Sequence, residues 1–305
     1  MLVVLNPTGG TVAKLGINRA KEQIAAIFEA YGIPATVVVV PASQIKNRVT
    51  EEIATRRSRG RQGFDIIVVG GGDGSISAAA AAIAETDIPL GILPLGTLNH
   101  FARDLGVPLD LEAAIRAIAA ARAGVVDVGE VNGRLFLNNS SLGVYPHLVA
   151  ERDRVHRHGP ARWFAAAVAL CRVLWRLPRP RVRVRAPGWE AERRTTCLFI
   201  ANNMYRRDGL AGATRERLDR GELCLYMASR DGRMALIQLA VRAFLGRLEP
   251  ERDFVLARLR SVEISAPRRR LRVALDGESL ILRTPLHYRI RPRALRVIFP
   301  GPVPR

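Results

Sequence analysis

Three short stretches of this chain concentrate the residue types that phosphate chemistry uses. NPTGG spans 6–10, GGGDGS spans 70–75 and PLGTLNHFARDLG spans 94–106, and they follow the apolar runs LVVL, DIIVV and PLGIL. Glycines in such places bare backbone N–H groups, and the start of a following helix adds a partial positive charge, so both suit phosphate oxygens. Ser75 and Thr97 can add hydroxyl donors. Any one of these stretches is as consistent with a plain turn; the three together point to a nucleotide. No GxxxxGKS/T loop is present, and Asp73 stands where a dinucleotide fingerprint carries no acid. A carboxylate among phosphate-binding amides repels an anion unless it handles a proton or a magnesium ion. Asp73 is therefore a candidate for chemistry rather than packing.

To act together, the three stretches need a parallel sheet that brings them to one edge. Apolar runs at 2–5, 36–40, 65–69 and 89–93 alternate with helical patterns over 17–31, near 44–57, near 75–85 and near 110–122. Short buried runs spaced by helices are the pattern of parallel strands in crossover units, and a doubly wound α/β sheet gathers ligands at the carboxyl ends of its strands. The pattern then changes. VVDVGEVNGRLFLNN places an Asn-Gly pair between two alternating segments, which predicts a tight hairpin. Beyond a helical stretch over 143–177, the segments TTCLFIANN, GELCLYMAS, SVEISA, RLRVALDGESLILR and LRVIFP read mostly as strands, with one helix near 232–245. The expected architecture is an α/β domain over 1–127 and an antiparallel β-rich domain over 128–285, with 286–305 packing back on the first.

The 305 residues suffice for two such cores. The start MLVVLNP has no basic leader, and the longest uncharged apolar run, near Trp163, is too short to span a bilayer, so a cytoplasmic protein is expected. Cys171, Cys197 and Cys224 are widely spaced and lack metal-ligand company, which argues for buried, reduced thiols. The net charge of +19 is unevenly distributed: residues 1–140 hold 13 basic and 13 acidic side chains, residues 141–305 hold 34 and 15. The cationic half asks for an anionic partner: nucleic acid, an anionic membrane surface or a phosphorylated ligand. Nucleic acid is disfavoured, because neither aromatic interleaving nor a recognition-helix motif accompanies the charge.

NPTGG, GGGDGSISAAAAAI, PLGTLNHFARDLGVP and the later LDGE at 275–278, in this order, resemble the diacylglycerol kinase catalytic family of lipid kinases, which includes sphingosine and ceramide kinases. The resemblance runs over nearly the whole chain. It implies a first domain like those of NAD kinases and phosphofructokinases, a β-rich lipid-binding domain, ATP as phosphoryl donor and Mg²⁺ beside it. Carried over by position, Asn6, Gly9 and Gly10 lie at the nucleotide edge; Gly71, Gly72, Asp73, Gly74 and Ser75 wrap the phosphates; Thr97 and Asn99 belong to the third nucleotide loop. Glu278 occupies the place of the proton acceptor of bacterial members, and Asp73 matches the acid given that role in sphingosine-kinase-like members. The acceptor is then the hydroxyl of diacylglycerol or, alternatively, of a sphingoid base or ceramide; a lipid-binding member without catalysis is the remaining alternative.

The departures from the family pattern bear on single residues. Asn99 is followed by His100 where the family has Asp, and a hydrogen bond at a helix start is the role expected for His100. At the LDRGEL turn, 218–223, Arg220 stands where the resemblance places a ligand of a structural magnesium, and Pro41 lies where a nucleotide-contacting Thr is usual. A protein acting on a lipid is expected to dock peripherally on an anionic membrane. The segment 162–177, with Trp163, Phe164 and Trp175 among aliphatics, reads as an interfacial helix, a wall of a lipid cleft or a core helix with snorkelling arginines. His156 and His158 belong to a solvated basic face rather than a metal pair. The oligomeric state is not fixed by the pattern, and a homodimer is open.

Overall fold

The structure, a computed structural model, describes residues 1–10, 12, 16–58, 64–120, 122–149, 179–206, 214–215, 217–245 and 250–300. The 162–177 segment, His156, His158 and Cys171 lie outside the described residues. The chain divides into two compact units, residues 1–128 with 292–305, and residues 129–291.

The first unit runs β1 (Leu2–Leu5), α1 (Ile17–Ala30), β2 (Thr36–Val39), α2 (Ala42–Ser58), β3 (Ile67–Gly71), α3 (Asp73–Ile83), β4 (Leu90–Pro94), α4 (His100–Asp104) and α5 (Leu111–Ala120). Its parallel strands lie in the order β2-β1-β3-β4, and Val297, returning from the far end of the chain, pairs parallel with Leu90. Every residue of β1, β3 and β4 is buried, which is why their sequences show unbroken apolar runs instead of alternation. α1 buries Ala20, Ile24 and Phe28, one stripe at a spacing of four, and α2 packs along α3. The reading of 65–69 as the strand needs correction. β3 continues through Gly70 and Gly71, because both glycines keep their place in the ladder, opposite Leu5, Leu93 and Pro94. α3 begins at Asp73, so the loop expected over 70–75 shrinks to Gly72.

The second unit takes up β5 (Arg122–Val131) from Gly129 and continues through β6 (Arg134–Phe136), β7 (Asn139–Gly143), β8 (Arg181–Ala186), β9 (Trp189–Arg194), β10 (Cys197–Asn202) and β11 (Leu223–Ala228). Then follow α6 (Arg233–Phe244), α7 (Pro250–Asp253), β12 (Phe254–Leu259), β13 (Ser261–Ser265), β14 (Arg270–Leu275), β15 (Glu278–Arg283) and β16 (Leu286–Phe299), whose residues from 292 onward belong to the first unit. Asn132 and Gly133, with φ of 47° and 78°, close the β5–β6 hairpin as the Asn-Gly pair predicts. One antiparallel sheet has the order β12-β11-β10-β7-β14-β15; β13, flanked by β8 and the start of β16, belongs to the other. Val182, Val184, Val262, Ile264 and Tyr288 from one sheet form a single core with Leu198, Ile200, Leu225 and Val273 from the other. The polar WEAERR of β9, the FVLARL of β12 and the full length of β16 were not expected as strands.

The outward face of β8 revises the view of the cationic half. Arg181 and Arg183 reach Glu192 at 2.7 Å each, and Arg185 lies 3.3 Å from Glu190 and 3.9 Å from Glu263. The RVRVR strand is thus neutralised by its neighbours rather than presenting bare positive charge. Nearby, Glu130 receives Arg291 at 2.6 Å and Arg289 at 2.9 Å. Burial works to raise its carboxyl, but the hydrogen bonds from Arg289 and Arg291 outweigh that and hold it below the usual range.

Candidate active site

At the carboxyl edge of the first unit's sheet, three turns leave adjacent strands. The Asn6 N–H donates to the Gly70 carbonyl at 2.8 Å and the Leu95 N–H to the Gly71 carbonyl at 3.1 Å, so the ladder locks each turn to the next before the chains diverge. Asn6 is buried and committed inward. Its Nδ2 donates to Ser75 Oγ at 2.8 Å, while its Oδ1 accepts from the Thr8 N–H at 3.1 Å and the Thr8 hydroxyl at 2.9 Å. That is an Asx-type turn, and it shapes the NPTGG segment from its first residue. Gly9 is buried with its N–H on the Asn6 carbonyl, while Gly10 is exposed.

The glycines divide into two kinds. A Cβ on Gly70 would come within 2.5 Å of Leu5 Cδ2, and one on Gly71 within 2.7 Å of Ser75 Cβ and Oγ. On Gly96 it would stand 2.4 Å from Gly72 Cα and 2.8 Å from Asn99 Oδ1. Gly71 and Gly96 are demanded by the protein's own packing, whereas at Gly70 the methyl ends of Leu5 and Leu95 would have to shift. On Gly72 and Gly10 the nearest atoms among the described residues would be 3.5 Å and 3.8 Å away, ordinary contact distances, so no contact among those residues requires the bare backbone. Gly72 caps α3 with no side-chain hydrogen bond, which leaves that helix start to backbone groups.

Asp73 opens α3, half-buried, and its Oδ1 accepts the Phe101 N–H of α4 at 3.2 Å. Its Oδ2 has no partner among the described residues. The carboxylate is thereby oriented by one oxygen and available through the other. Asn99 adopts the left-handed region, φ 52°, and folds its amide back into its own loop: Oδ1 accepts from the Gly96 N–H, and Nδ2 donates to the Pro94 and Gly96 carbonyls. It staples the third turn. Thr97 and His100 are exposed beside it. Asn6, Gly71, Gly72, Asp73, Ser75, Thr97 and Asn99 thus share one sheet edge.

Glu278 belongs to the second unit. Asp276 and Gly277, with φ of 46° and 83°, form the turn between β14 and β15, and Glu278 follows as the exposed first residue of β15. The acid before it has another task. Asp276 Oδ2 accepts the Leu137 N–H at 2.7 Å, and Oδ1 accepts those of Asn138 and Asn139 at 2.8 Å and 3.2 Å. Next to this clamp, the buried Arg215 donates to the carbonyls of Leu137 and Asn202 and to Asn138 Oδ1. Asn202 Nδ2 adds a bond to the Leu137 carbonyl at 2.9 Å. Sequence reasoning missed this network. Its signal was two Asn-Asn pairs, 138–139 and 202–203, at the ends of strands that are otherwise apolar.

The turn aligned with a structural magnesium does not fit a cation. Of its two carboxylates, Asp219 holds Arg217 through two bonds of 2.9 Å, and the Arg220 backbone N–H donates to Asn203 Oδ1. Among the described residues no three His, Cys, Asp or Glu side chains converge as a metal site. Magnesium is commonly held by one or two carboxylates together with substrate phosphates, and at the sheet edge of the first unit Asp73 offers one carboxylate of that kind.

Comparison with known proteins gives one answer along the chain. Residues 1–131 match the family model of the diacylglycerol kinase catalytic domain, and residues 143–299 match that of the YegS C-terminal NAD kinase beta sandwich-like domain. A probable lipid kinase YegS-like from Pseudomonas aeruginosa is 33% identical over 247 residues, covering 79% of each chain. A protein of the same description from Pseudomonas fluorescens is 32% identical over 278 residues, 86% of this chain and 84% of that one. Among solved structures, a diacylglycerol kinase and a putative diacylglycerol kinase from Bacillus anthracis superpose with TM-scores of 0.69 and 0.72. Their identities are 20% and 21%, and each comparison covers 99% of this chain and 96% of the other, a likeness of fold.

Proposed function

We propose, because this chain belongs to the diacylglycerol kinase catalytic domain family and so to the lipid kinases, that it transfers the γ-phosphate of ATP to the hydroxyl of a diacylglycerol-like lipid. The observation that carries this reading is the edge itself: three turns locked side by side, two glycines that no contact among the described residues requires, and a carboxylate held by one oxygen. ATP with Mg²⁺, when bound, supplies the phosphoryl group and the neutralisation of its charge, which accounts for most of the catalysis in such transfers.

The chain's own residues supply position. The amides around Gly72 and the start of α3 face the phosphates, with Gly10 and Thr97 on the flanking turns. Asn6, Ser75 and Asn99 act one step back, by fixing the turns to one another. Asp73 Oδ2 holds the metal or takes the proton of the lipid hydroxyl as its oxygen bonds to phosphorus and the bond to ADP breaks. Glu278 is the other candidate for that proton. A sphingoid or ceramide acceptor is the alternative within the same chemistry, and peripheral docking on anionic membrane belongs to the same reading.

The test is purified protein incubated with labelled ATP and vesicles carrying diacylglycerol, a sphingoid base or ceramide. Transfer to diacylglycerol is expected; no transfer to any lipid, with ATP binding intact, refutes the reading. Asp73→Asn keeps an oxygen for the Phe101 N–H, so the fold is expected to survive while the rate falls at least about a hundredfold. Full activity in that variant removes Asp73 from the mechanism.

A further inference from the structure

α6 is apolar on two faces. Leu236 and Leu239 point inward, against the clusters around Val144 and around Tyr226 and Phe254. On the opposite side, Met234, Ile237 and Val241 are 68%, 43% and 51% exposed, and Leu245, just past the helix end, is 54% exposed. Their spacing of three, four and four sets them in one stripe along the helix. Four large apolar side chains aligned on a solvated face are not the scattered exposure common on protein surfaces.

What surrounds the stripe says what covers it. The helix RMALIQLAVRAF contains two arginines and no acid, and Arg230, Arg233 and Arg252 around it are exposed. A groove of about 460 Å³ beside the helix is lined by Leu236, Ile237 and Val241 together with Arg230, Arg242 and Arg252. Two described acids nearby are engaged: Asp253 pairs with Arg242 at 3.1 Å and Asp231 with Arg179 at 3.7 Å. A second copy of the chain laid on this face would bring arginine against arginine. An anionic bilayer offers acyl chains to the stripe and phosphates to the arginines.

We infer that α6 docks the protein on an anionic phospholipid bilayer, with Met234, Ile237, Val241 and Leu245 entering the acyl boundary and Arg230 and Arg252 meeting headgroup phosphates. The inference rests on the reading that the acceptor is a bilayer lipid, and it names the surface that brings the enzyme to it. β8, the most arginine-dense strand, is excluded from this role by the glutamates of neighbouring β9.

The experiment is co-sedimentation of the full chain with vesicles of phosphatidylglycerol and phosphatidylcholine, and with phosphatidylcholine alone. Met234→Ser, Ile237→Ser and Val241→Ser are combined in one variant; all three positions are exposed, so the fold is retained. Its partition onto the anionic vesicles is expected to fall about a hundredfold, and that of Arg230→Glu about tenfold. Transfer to a short-chain, water-dispersed diacylglycerol stays at the wild-type rate. Unchanged vesicle partition of the triple variant overturns the inference, as does a wild-type dimer that the variant converts to monomer without loss of vesicle binding. If the wild type binds vesicles through α6 yet phosphorylates no lipid, the kinase reading falls and the docking surface stands.

Discussion

Replacing Gly71 and Gly72 separately by alanine distinguishes glycine kept for packing from glycine kept for a ligand. At Gly71 the new methyl sits 2.7 Å from Ser75 Cβ and Oγ and 3.3 Å from Asn6 Cβ. Overpacking of that kind costs about 1–3 kcal/mol, and disturbing the buried Asn6–Ser75 hydrogen bond adds about 1 kcal/mol. A loss of roughly 2–4 kcal/mol lowers Tm by roughly 5–15 °C in a protein of this size. At Gly72, φ −88° and ψ −179° suit alanine, and the nearest atom is 3.5 Å away. The poorer helix cap costs up to about 1 kcal/mol, offset by about 0.4–1 kcal/mol from the stiffer unfolded chain. Stability is therefore expected to stay within about 0.5 kcal/mol of wild type. If phosphates approach the amides there, the same methyl weakens ATP binding by about tenfold or more, 1.4 kcal/mol. Thermal melts and calorimetric titration with Mg²⁺-ATP read both quantities. A Gly71→Ala protein as stable as wild type refutes the packing argument, and wild-type ATP affinity in Gly72→Ala refutes the cradle.

Asp276→Ala strips three backbone N–H groups of their acceptor, and a loss of about 3–4 kcal/mol in urea denaturation is expected; a change under 1 kcal/mol would show the clamp to be dispensable. Because the folded protein holds the Glu130 carboxyl below its ordinary range, that group contributes stability at neutral pH which is lost as pH falls through the depressed value. Glu130→Gln should flatten the acid side of the stability curve, and an unchanged acid limb would deny the linkage. Burial pushes the Cys197 and Cys224 thiols up to about 12, so in a Cys171→Ser background the native protein should resist a thiol reagent at about pH 8 and react only on unfolding.

What was legible in the sequence follows from what a side chain reports about its surroundings. Strands buried on both faces show as uninterrupted apolar runs, and the Asn-Gly turn shows because few residue pairs tolerate two positive φ values. Gly70 and Gly71 look like loop in the sequence because they carry no side chain to register burial, although their backbone continues the ladder. β9 escaped because its WEAERR pattern serves a solvated face of ion pairs, where polarity replaces the apolar alternation.

The sequence by itself determined the two-part fold, the family and the order of the phosphate-type turns, since each depends on local pattern. The tertiary structure alone decided which glycines answer to Ser75 and Gly72 and which meet only ordinary contacts among the described residues. It alone decided that the arginines of β8 are neutralised while those around α6 flank an exposed apolar stripe. It also decided that Asp276 clamps amides some 139 residues away in the chain. The physical reason is the same in each case: a glycine's necessity, a charge's screening and a carboxylate's role are set by atoms across space, which neighbours in sequence do not supply.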